Sequence, residues 1–496
     1  MRVLAGSPGP WTGRGNPMEG AFMRANAKPD VTTRYRWRRR RAVWAGASAL
    51  VAAVLAAGTV AATTASASTS ARTSPSTAAT AAAPGKLAIS KSFFGSTIEP
   101  FTGKETKTYR YVLTNAKGMS VDILSFGGII QAINVPGKNG KTADVTLGFK
   151  TLQDYVANDS PPVTVNGGPY FGESVGRYGN RIKDGTFKLN GTTYTLPINN
   201  NGNTLHGGLV GFGNHVWSQV GGLIANKSEV GVTLQLVSPN GDQAGAAGSP
   251  GCPNGCTGFP AQLTDDTTFT LNNSDQLMIH YKATNDSTSL ATVLNLTNHS
   301  YFNLAGENSV AGSAYGQSVQ INANKYTPTD TTQIPLGVNV SVKGTPFDFR
   351  VPHTIGSRID DVSAPNNVPA KFKSQTDGES QLLIAQGYDF NWVLNKQTKA
   401  TTGPAGLNLA AHAWDSASGR ELTVWTDQPG VQFYSGNFLT GTLTGIGGNT
   451  YRQGAGYTFE TQHFPNSPNQ PNFPTTSLNP GKTFTSSTIF AFSVNK

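Results

Sequence analysis

Apolar and polar residues alternate in short segments along most of the chain from about residue 86 onward. Gly, Asn, Asp or Pro separates the segments, and a period of two residues places successive side chains on opposite faces of a β-strand. Strands are therefore predicted at Thr108–Thr114, Ser120–Leu124, Thr186–Leu189, Thr193–Leu196, Val230–Leu236, Thr267–Leu271, Leu277–Ala283, Ser289–Thr297, Ser318–Ile321, Leu422–Thr426 and Thr488–Val494. Asn190-Gly191 predicts a type I′ hairpin, because that turn needs a positive φ at both central residues.

The same region has no apolar pattern of 3.6-residue period sustained over the length of a helix. It also lacks a repeat of about 20–50 residues, which argues against a propeller or a solenoid. Residues 86–496 are therefore predicted to form one all-β domain, an antiparallel sandwich whose long loops carry the chemistry. The composition agrees, since the 496 residues include 57 glycines and only 13% charged residues, too few charges for a coiled coil.

Residues 1–67 have the pattern of a basic leader with a secretory signal peptide. A cluster of arginines at positions 34–41 precedes an Ala/Val/Leu-rich stretch at 42–62, and Ala65-Ser66-Ala67 follows as a small-residue exit site. We expect cleavage and secretion; a membrane anchor is the alternative, since an apolar stretch of about 20 residues can span a bilayer. Residues 68–85, rich in Ser, Thr, Ala and Pro, are predicted to be a flexible linker.

The net charge of +10 does not indicate a nucleic-acid partner. Ten of the 38 Lys/Arg but only two of the 28 Asp/Glu lie in residues 1–41, so this leader carries +8 of the total. The rest of the chain is nearly neutral and has no overall basic surface. Neither nucleic acid nor, after signal cleavage, stable membrane association is predicted.

The two cysteines, Cys252 and Cys256, enclose Pro-Asn-Gly. In an exported chain this spacing favours a small local disulfide loop. A metal site is the less favoured interpretation, because no further Cys or His lies close by in the sequence.

Polar residues flanked by aromatic residues and glycines concentrate in a few segments. Hydroxyl groups of sugars both donate and accept hydrogen bonds, and the C–H faces of sugars pack against rings, so this mixture suits a neutral sugar site. The segments are Gly176–Ile182, Asn203–Gly208, Asn298–Leu304, Tyr388–Asn391, Val431–Tyr434 and Phe459–Phe464.

Seven segments in order resemble the aldose 1-epimerase (galactose mutarotase) family over about residues 91–494. They are Gly176–Ile182, Asn203–Gly208, Asn298–Leu304, Tyr326–Pro335, Gly387–Phe390, Gly430–Phe438 and Glu460-Thr461-Gln462 with Pro465–Asn469. The resemblance implies an antiparallel β-supersandwich and interconversion of the α- and β-anomers of free aldoses of the glucose and galactose type. It also implies a monosaccharide substrate and no cofactor or metal.

The resemblance further implies a role for individual residues. Glu460 corresponds to the general base and His299 to the general acid. Arg181, His206 and Asp389 fall on sugar-binding positions, with Asn180 and Gln432 as further candidates.

Mutarotation requires a base that removes the proton of the C1 hydroxyl and an acid that protonates the ring oxygen. We expect the carboxylate of Glu460 and a protonated His299 to approach the ring from opposite sides, since an imidazole titrates near neutrality. Three alternatives remain: a secreted glycoside hydrolase with two carboxylates, a non-catalytic sugar-binding module, and a hexose-phosphate epimerase relative, which would need additional cations.

Overall fold

Antiparallel β-strands make up most of the architecture. The computed structural model describes residues 85–159, 168–309 and 312–495, so the predicted leader and almost all of the predicted linker lie outside the described residues. Within these residues the first strand begins at Ala88. Three sheets of five, nine and six strands account for most of the described strands.

Each of the three sheets is a continuous series of hydrogen-bonded strands. From one edge to the other, the five-stranded sheet contains Ala88–Glu99, Lys104–Thr114, Ser120–Leu124, Ile130–Pro136 and Thr142–Asp144. The nine-stranded sheet contains Ser218–Ala225, Glu229–Ser238, Leu263–Asn272, Gln276–Asn285, Thr483–Val494, Arg420–Thr426, Asn408–Trp414, Ser318–Ile321 and His353–Thr354. The six-stranded sheet contains Tyr301–Phe302, Tyr457–Gln462, Gly430–Tyr434, Asp389–Leu394, Ala323–Thr327 and Val340–Ser341.

Short two-stranded ladders and helical turns complete the described fold. The ladders pair Arg181–Ile182 with Thr204–Leu205, Ser174–Val175 with Thr297–Asn298, Thr292–Val293 with Ser477–Leu478, Thr186–Leu189 with Thr192–Thr195, and Thr440–Thr444 with Thr450–Arg452. The α-helices are Leu152–Asp159 and Gln381–Ala385. Three-residue 3₁₀ turns occur at Lys183–Gly185, Phe212–Asn214, Ile355–Ser357, Ala370–Phe372, Lys399–Thr401, Pro404–Gly406 and Ser467–Asn469. None of the helices in the described part of the chain is long and apolar enough to cross a lipid bilayer.

One large hydrophobic core joins the sheets. It contains side chains of the five-stranded sheet (Leu113, Val121), the nine-stranded sheet (Phe269, Leu422) and the six-stranded sheet (Phe433). Contacts such as the ring pair Phe302–Phe490, whose centroids lie 5.0 Å apart, connect the six- and nine-stranded sheets directly. The predicted all-β antiparallel sandwich is therefore confirmed.

The predicted hairpin is also confirmed. Thr186–Leu189 and Thr192–Thr195 pair in antiparallel register, and Asn190 and Gly191 have φ values of 50° and 86°. Asparagine and glycine tolerate these angles better than other residues do.

One predicted strand was wrong, and a helix was not predicted. Ser289–Thr297 is not one strand, because residues 292–293 pair with 477–478 whereas 297–298 pair with 174–175. Leu152–Asp159 is a helix that its short apolar pattern did not predict. Its start is stabilised by Thr151, whose Oγ1 accepts a hydrogen bond from the Asp154 N–H while the Asp154 carboxylate accepts one from the Thr151 N–H, an arrangement typical of a helix N-terminus.

The two cysteines form a disulfide in the structure. Cys252 and Cys256 are bonded, with a Cα–Cα distance of 5.4 Å. The backbone N–H and C=O of Cys256 are hydrogen-bonded to the C=O and N–H of Gly245, so the loop closes onto its own neighbouring segment.

Candidate active site

The six-stranded sheet provides the floor of the candidate site. In its central strands the register places Gln432 opposite Glu460 and Asp389 opposite Tyr434. Side chains alternate between the two faces of a strand; the intervening Phe433 belongs to the hydrophobic core. The two-residue period of these strands, which were not among the predicted ones, brings Glu460, Gln432 and Asp389 to one face of the sheet, although 71 positions separate the first residue from the last.

A two-stranded ladder forms one wall of the site. Arg181 pairs with Leu205, and His206 follows directly with a left-handed φ of 48°. Gly207 allows the two segments of this wall to approach closely, because a Cβ at this position would overlap the Gly176 carbonyl oxygen. The glycine after His206 is therefore required by packing, which explains one part of the Asn203–Gly208 motif.

His299 lies at the end of another short strand and is held through its backbone. Its N–H donates to the Glu173 carbonyl, and its carbonyl accepts from the Gly172 N–H. The ring centroid of His299 lies 5.1 Å from those of His206 and Tyr301 and 5.7 Å from that of Tyr170. Neither tyrosine was predicted as a site residue, although Tyr301 belongs to the aromatic-flanked segment Asn298–Leu304.

These elements enclose a cleft of about 680 Å³. Six of the seven predicted catalytic and sugar-binding residues line it: Asn180, Arg181, His206, His299, Asp389 and Glu460. The seventh, Gln432, lies behind Asp389, and its Nε2 donates to Asp389 Oδ1 over 2.7 Å. The structure therefore brings the predicted residues together and places Gln432 as a support of Asp389 rather than in the cleft lining.

His299 and Glu460 form a close buried pair. His299 Nε2 lies 3.4 Å from Glu460 Oε1, and the two residues are 4% and 1% exposed. The Thr458 hydroxyl donates to the same carboxylate oxygen over 2.9 Å, whereas Glu460 Oε2 has no hydrogen-bond partner among the described residues. No pyranose ring fits between groups this close, so the prediction that they approach a sugar from opposite sides was wrong.

Burial also changes the protonation expected for this pair. Desolvation, assisted by the nearby Asp389 carboxylate, raises the pKa of Glu460 to about 8, and desolvation lowers the pKa of His299 to about 3. Burial thus favours a protonated Glu460 and a neutral His299 in the ligand-free site. It does not favour the protonated imidazole expected from the sequence, which stays a prediction for the sugar-bound site.

His206 is fixed in one tautomer by the backbone. Its Nδ1 accepts a hydrogen bond from the Asn180 N–H over 3.2 Å, and burial together with the neighbouring His299 and Arg181 lowers its pKa well below the ordinary value. A neutral ring whose Nδ1 accepts must carry its proton on Nε2. His206 Nε2 is therefore a hydrogen-bond donor for a ligand, and Asn180 contributes to the site through its backbone.

An uninterrupted chain of polar contacts links the charged residues of the floor and the wall. Arg181 Nη2 donates to Gln333 Oε1, and Gln333 Nε2 donates to Asp389 Oδ2, each over 2.6 Å. Arg181 Nε donates to Asn200 Oδ1. Arg181 is therefore a buried cation of the site and not a solvated surface charge. Gln333 was not predicted as a site residue, because its position within Tyr326–Pro335 shows no chemical pattern of its own.

His206, His299 and Glu460 are also the described residues whose possible metal ligand atoms cluster, within 4.8 Å of one another. The donor set does not suit a metal well. Metal-bound histidines usually donate their second ring N–H to an acceptor, whereas His206 Nδ1 accepts from a backbone N–H and its other nitrogen carries the proton. This leaves one imidazole and one carboxylate, fewer than the three protein ligands typical of a catalytic zinc site.

Comparisons with known proteins assign the family. The sequence profile described as "Aldose 1-epimerase" matches residues 109–491. The chain belongs to the aldose 1-epimerase family. It is 39% identical over 376 residues to galactose mutarotase of Mus musculus, an alignment that covers 76% of this chain and 92% of the mouse protein. It is 32% identical to aldose 1-epimerase of Escherichia coli K12, with 79% and 98% covered.

A solved structure extends this family assignment to the fold. The crystal structure of an aldose epimerase homologue from C. elegans matches with a TM-score of 0.60 and 26% identity, covering 77% of this chain and 97% of the worm protein. The predicted galactose mutarotase-like supersandwich and the predicted family membership are both confirmed. The protein is an isomerase of the mutarotase class.

Proposed function

We propose that this mutarotase interconverts the α- and β-anomers of free aldoses of the glucose and galactose type, with His299 and Glu460 as its proton-transfer pair. The observation that supports this most directly is the 3.4 Å contact between these two side chains in a cleft that Arg181, His206 and Asp389 also line. The C1 hydroxyl oxygen and the ring oxygen of a pyranose are bonded to the same carbon. Two adjacent proton-transfer groups on one side of the sugar can therefore serve both oxygens.

In this mechanism the pair carries one proton throughout the reaction. Sugar binding brings hydroxyl donors to Glu460, which favours its carboxylate form and moves the proton to His299. Glu460 then removes the proton of the C1 hydroxyl while His299 protonates the ring oxygen, and the C1–O5 bond breaks to give the aldehyde.

Ring closure reverses these transfers. Rotation about C1–C2 presents the other face of the aldehyde, His299 takes the proton of the C5 hydroxyl, and Glu460 protonates the aldehyde oxygen as the C1–O5 bond re-forms. The proton distribution during the open-chain stage, with Glu460 protonated and His299 neutral, is the one that burial favours in the empty site.

The pH dependence follows from this single shared proton. We expect kcat/KM to fall as pH rises through about 8, because the free pair then loses its proton from Glu460. On the acid side the decline should begin only well below the ordinary imidazole range, since the pKa of His299 is lowered to about 3. A profile of initial rates between pH 4 and pH 10 (about six units), corrected for uncatalysed anomerisation, checks this. A decline centred near 6.5 (roughly the free imidazole value) would contradict it.

Polarimetry tests the proposed activity. Freshly dissolved α-glucose and α-galactose should reach their equilibrium rotation faster with the purified protein, and the final rotation should equal that of the uncatalysed reaction. Pentoses and 6-phosphorylated sugars complete the panel, so that a hexose-phosphate preference is recognised. If the protein accelerated none of these anomerisations, the proposed substrate class would be rejected.

We also propose that the protein is exported and acts outside the cytoplasm. This proposal rests on the arginines at 34–41, the apolar stretch 42–62 and the exit site 65–67. The expected mature N-terminus lies near Ser68 and can be determined by sequencing the protein from the culture medium. An uncleaved chain in the membrane fraction would instead indicate an anchor.

A further inference from the structure

A neutral amide lies between the two opposite charges of the cleft. Gln333 Oε1 accepts from Arg181 Nη2, and Gln333 Nε2 donates to Asp389 Oδ2; both contacts measure 2.6 Å. Gln333 is 5% exposed and lines the cleft itself. Within the described residues no direct salt bridge joins Arg181 to Asp389.

We infer that Gln333 is a positioning residue that holds Arg181 and Asp389 apart, so that each keeps hydrogen-bonding capacity for a different hydroxyl of the same sugar. This inference rests on the proposed function and adds a residue to it. It also defines the ligand further, as a sugar that offers one hydroxyl to accept from the guanidinium and another to donate to the carboxylate.

The number of available donors and acceptors supports this role. A guanidinium has five N–H donors. Arg181 uses one of them in its hydrogen bond to Asn200 and one in its hydrogen bond to Gln333. A carboxylate has about four lone-pair sites, and Asp389 receives one hydrogen bond from Gln432 and one from Gln333. A bidentate Arg–Asp pair would engage two of the remaining donors and two of the remaining acceptors with each other.

The backbone around Gln333 is arranged to place this amide. Gln333 has a left-handed φ of 64°, which is unfavourable for a residue with a side chain and often marks functional positions. Asp330 stabilises the turn, because its Oδ1 accepts from the Thr332 N–H, the Thr332 hydroxyl and the Ile334 N–H. The Gln333 N–H in turn donates to the Asp330 carbonyl. The conformation is thus maintained by local hydrogen bonds and does not depend on a ligand.

Steady-state kinetics of Gln333→Met and Gln333→Glu test the inference. Methionine has a similar length but forms neither hydrogen bond, so we expect KM for the preferred aldose to rise about tenfold or more with kcat changed less than about threefold. Glutamate can still accept from Arg181 but places a carboxylate against Asp389, so KM should rise at least as much as with methionine.

A double-mutant cycle with Asp389→Asn separates positioning from a general structural effect. If Gln333 acts through Asp389, Gln333→Met should raise KM clearly less in the Asp389→Asn background than in the wild type. Gln320→Met is the matched control, because Gln320 lies on the nine-stranded sheet, where its side chain donates to the Arg350 carbonyl. The KM of this variant should equal that of the wild type. Circular dichroism and thermal unfolding confirm that the variants fold.

The outcomes distinguish this inference from the proposed function. If folded Gln333→Met had the KM of the active wild type, or if Gln333→Glu behaved like the wild type, the positioning role would be rejected while the mutarotase assignment remained. The positioning role would also be rejected if Gln333→Met changed kcat and KM by the same factors in the wild-type and the Asp389→Asn backgrounds. A wild-type protein inactive on every aldose would instead reject the proposed substrate class.

Discussion

Replacement of Glu460 by glutamine is expected to lower kcat by about 10³-fold, within the range that a well-placed proton-transfer group contributes. Glutamine keeps the size of the side chain but cannot take up or release a proton. Burial of Glu460 at 1% exposure keeps bulk water from replacing it in the proton transfer. Because the neutral amide resembles the protonated carboxyl of the ligand-free site, KM should change only a few fold. Polarimetry at a series of sugar concentrations measures both constants.

Glu421→Gln provides the matched control for this experiment. Glu421 also lies near a histidine, with 3.6 Å between its Oε2 and His412 Nε2, but this pair is partly exposed on the nine-stranded sheet. Its kcat should remain that of the wild type. Full activity of a folded Glu460→Gln protein would remove Glu460 from the mechanism.

Replacement of Arg177 by methionine is expected to lower the free energy of unfolding by about 3–5 kcal/mol, the cost of breaking a buried ionic network. The guanidinium is 1% exposed and donates to the Pro239, Pro260 and Ala261 carbonyls over 2.8–2.9 Å. It also donates to the Ser238 hydroxyl, which in turn donates to buried Asp242. Methionine would remove the side-chain donor of the Pro260 and Ala261 carbonyls, whereas the Pro239 carbonyl keeps the Asp242 N–H. It would also remove the cation next to Asp242.

Denaturant unfolding followed by circular dichroism measures this loss. Arg350→Met is the matched control, since the Arg350–Asp348 ion pair has two good hydrogen bonds but lies at the surface, where ion pairs contribute little. Its unfolding curve should overlay that of the wild type. An Arg177→Met curve that also overlays the wild type would show that this buried network does not stabilise the fold.

Ten of the eleven predicted strands form in the structure, because their two-residue period is a local property. The hairpin at Asn190-Gly191 follows in the same way from the φ angles its two residues tolerate. The strands of the six-stranded sheet were not among those predicted. The helix Leu152–Asp159 was missed because eight residues provide too few turns to establish a helical period, and the Thr151–Asp154 capping pair was the remaining signal. The segment 289–297 was misassigned because its exchange of partners depends on distant strands.

Prediction of the candidate site had a different limit. The resemblance to a family supplied the residue types, and six of the seven predicted catalytic and sugar-binding residues line one cleft. The distance between His299 and Glu460 could not be predicted, because it depends on the register of strands more than 150 positions apart in the chain. The pKa values of His299 and Glu460 depend mainly on their burial, and the extent of burial could not be predicted from the sequence. Gln333 was missed because its proposed role depends on its contacts with Arg181 and Asp389, which lie on distant segments of the chain.

The placement of Glu460, Gln432 and Asp389 on interior strands of the six-stranded sheet has a consequence for how sugar preference can diverge. The residues that alternate with them along the same strands, Phe390, Phe433 and Phe459, point into the hydrophobic core. A shift of one strand would therefore disturb many packed aromatic residues at once. By contrast, the stretch from Phe438 to Leu443 borders the cleft from a peripheral hairpin, where insertions and exchanges are tolerated. Homologues that act on different aldoses should therefore differ mainly in the stretch from Phe438 to Leu443. Exchanging this stretch between homologues should change the sugar preference without altering the proton-transfer residues.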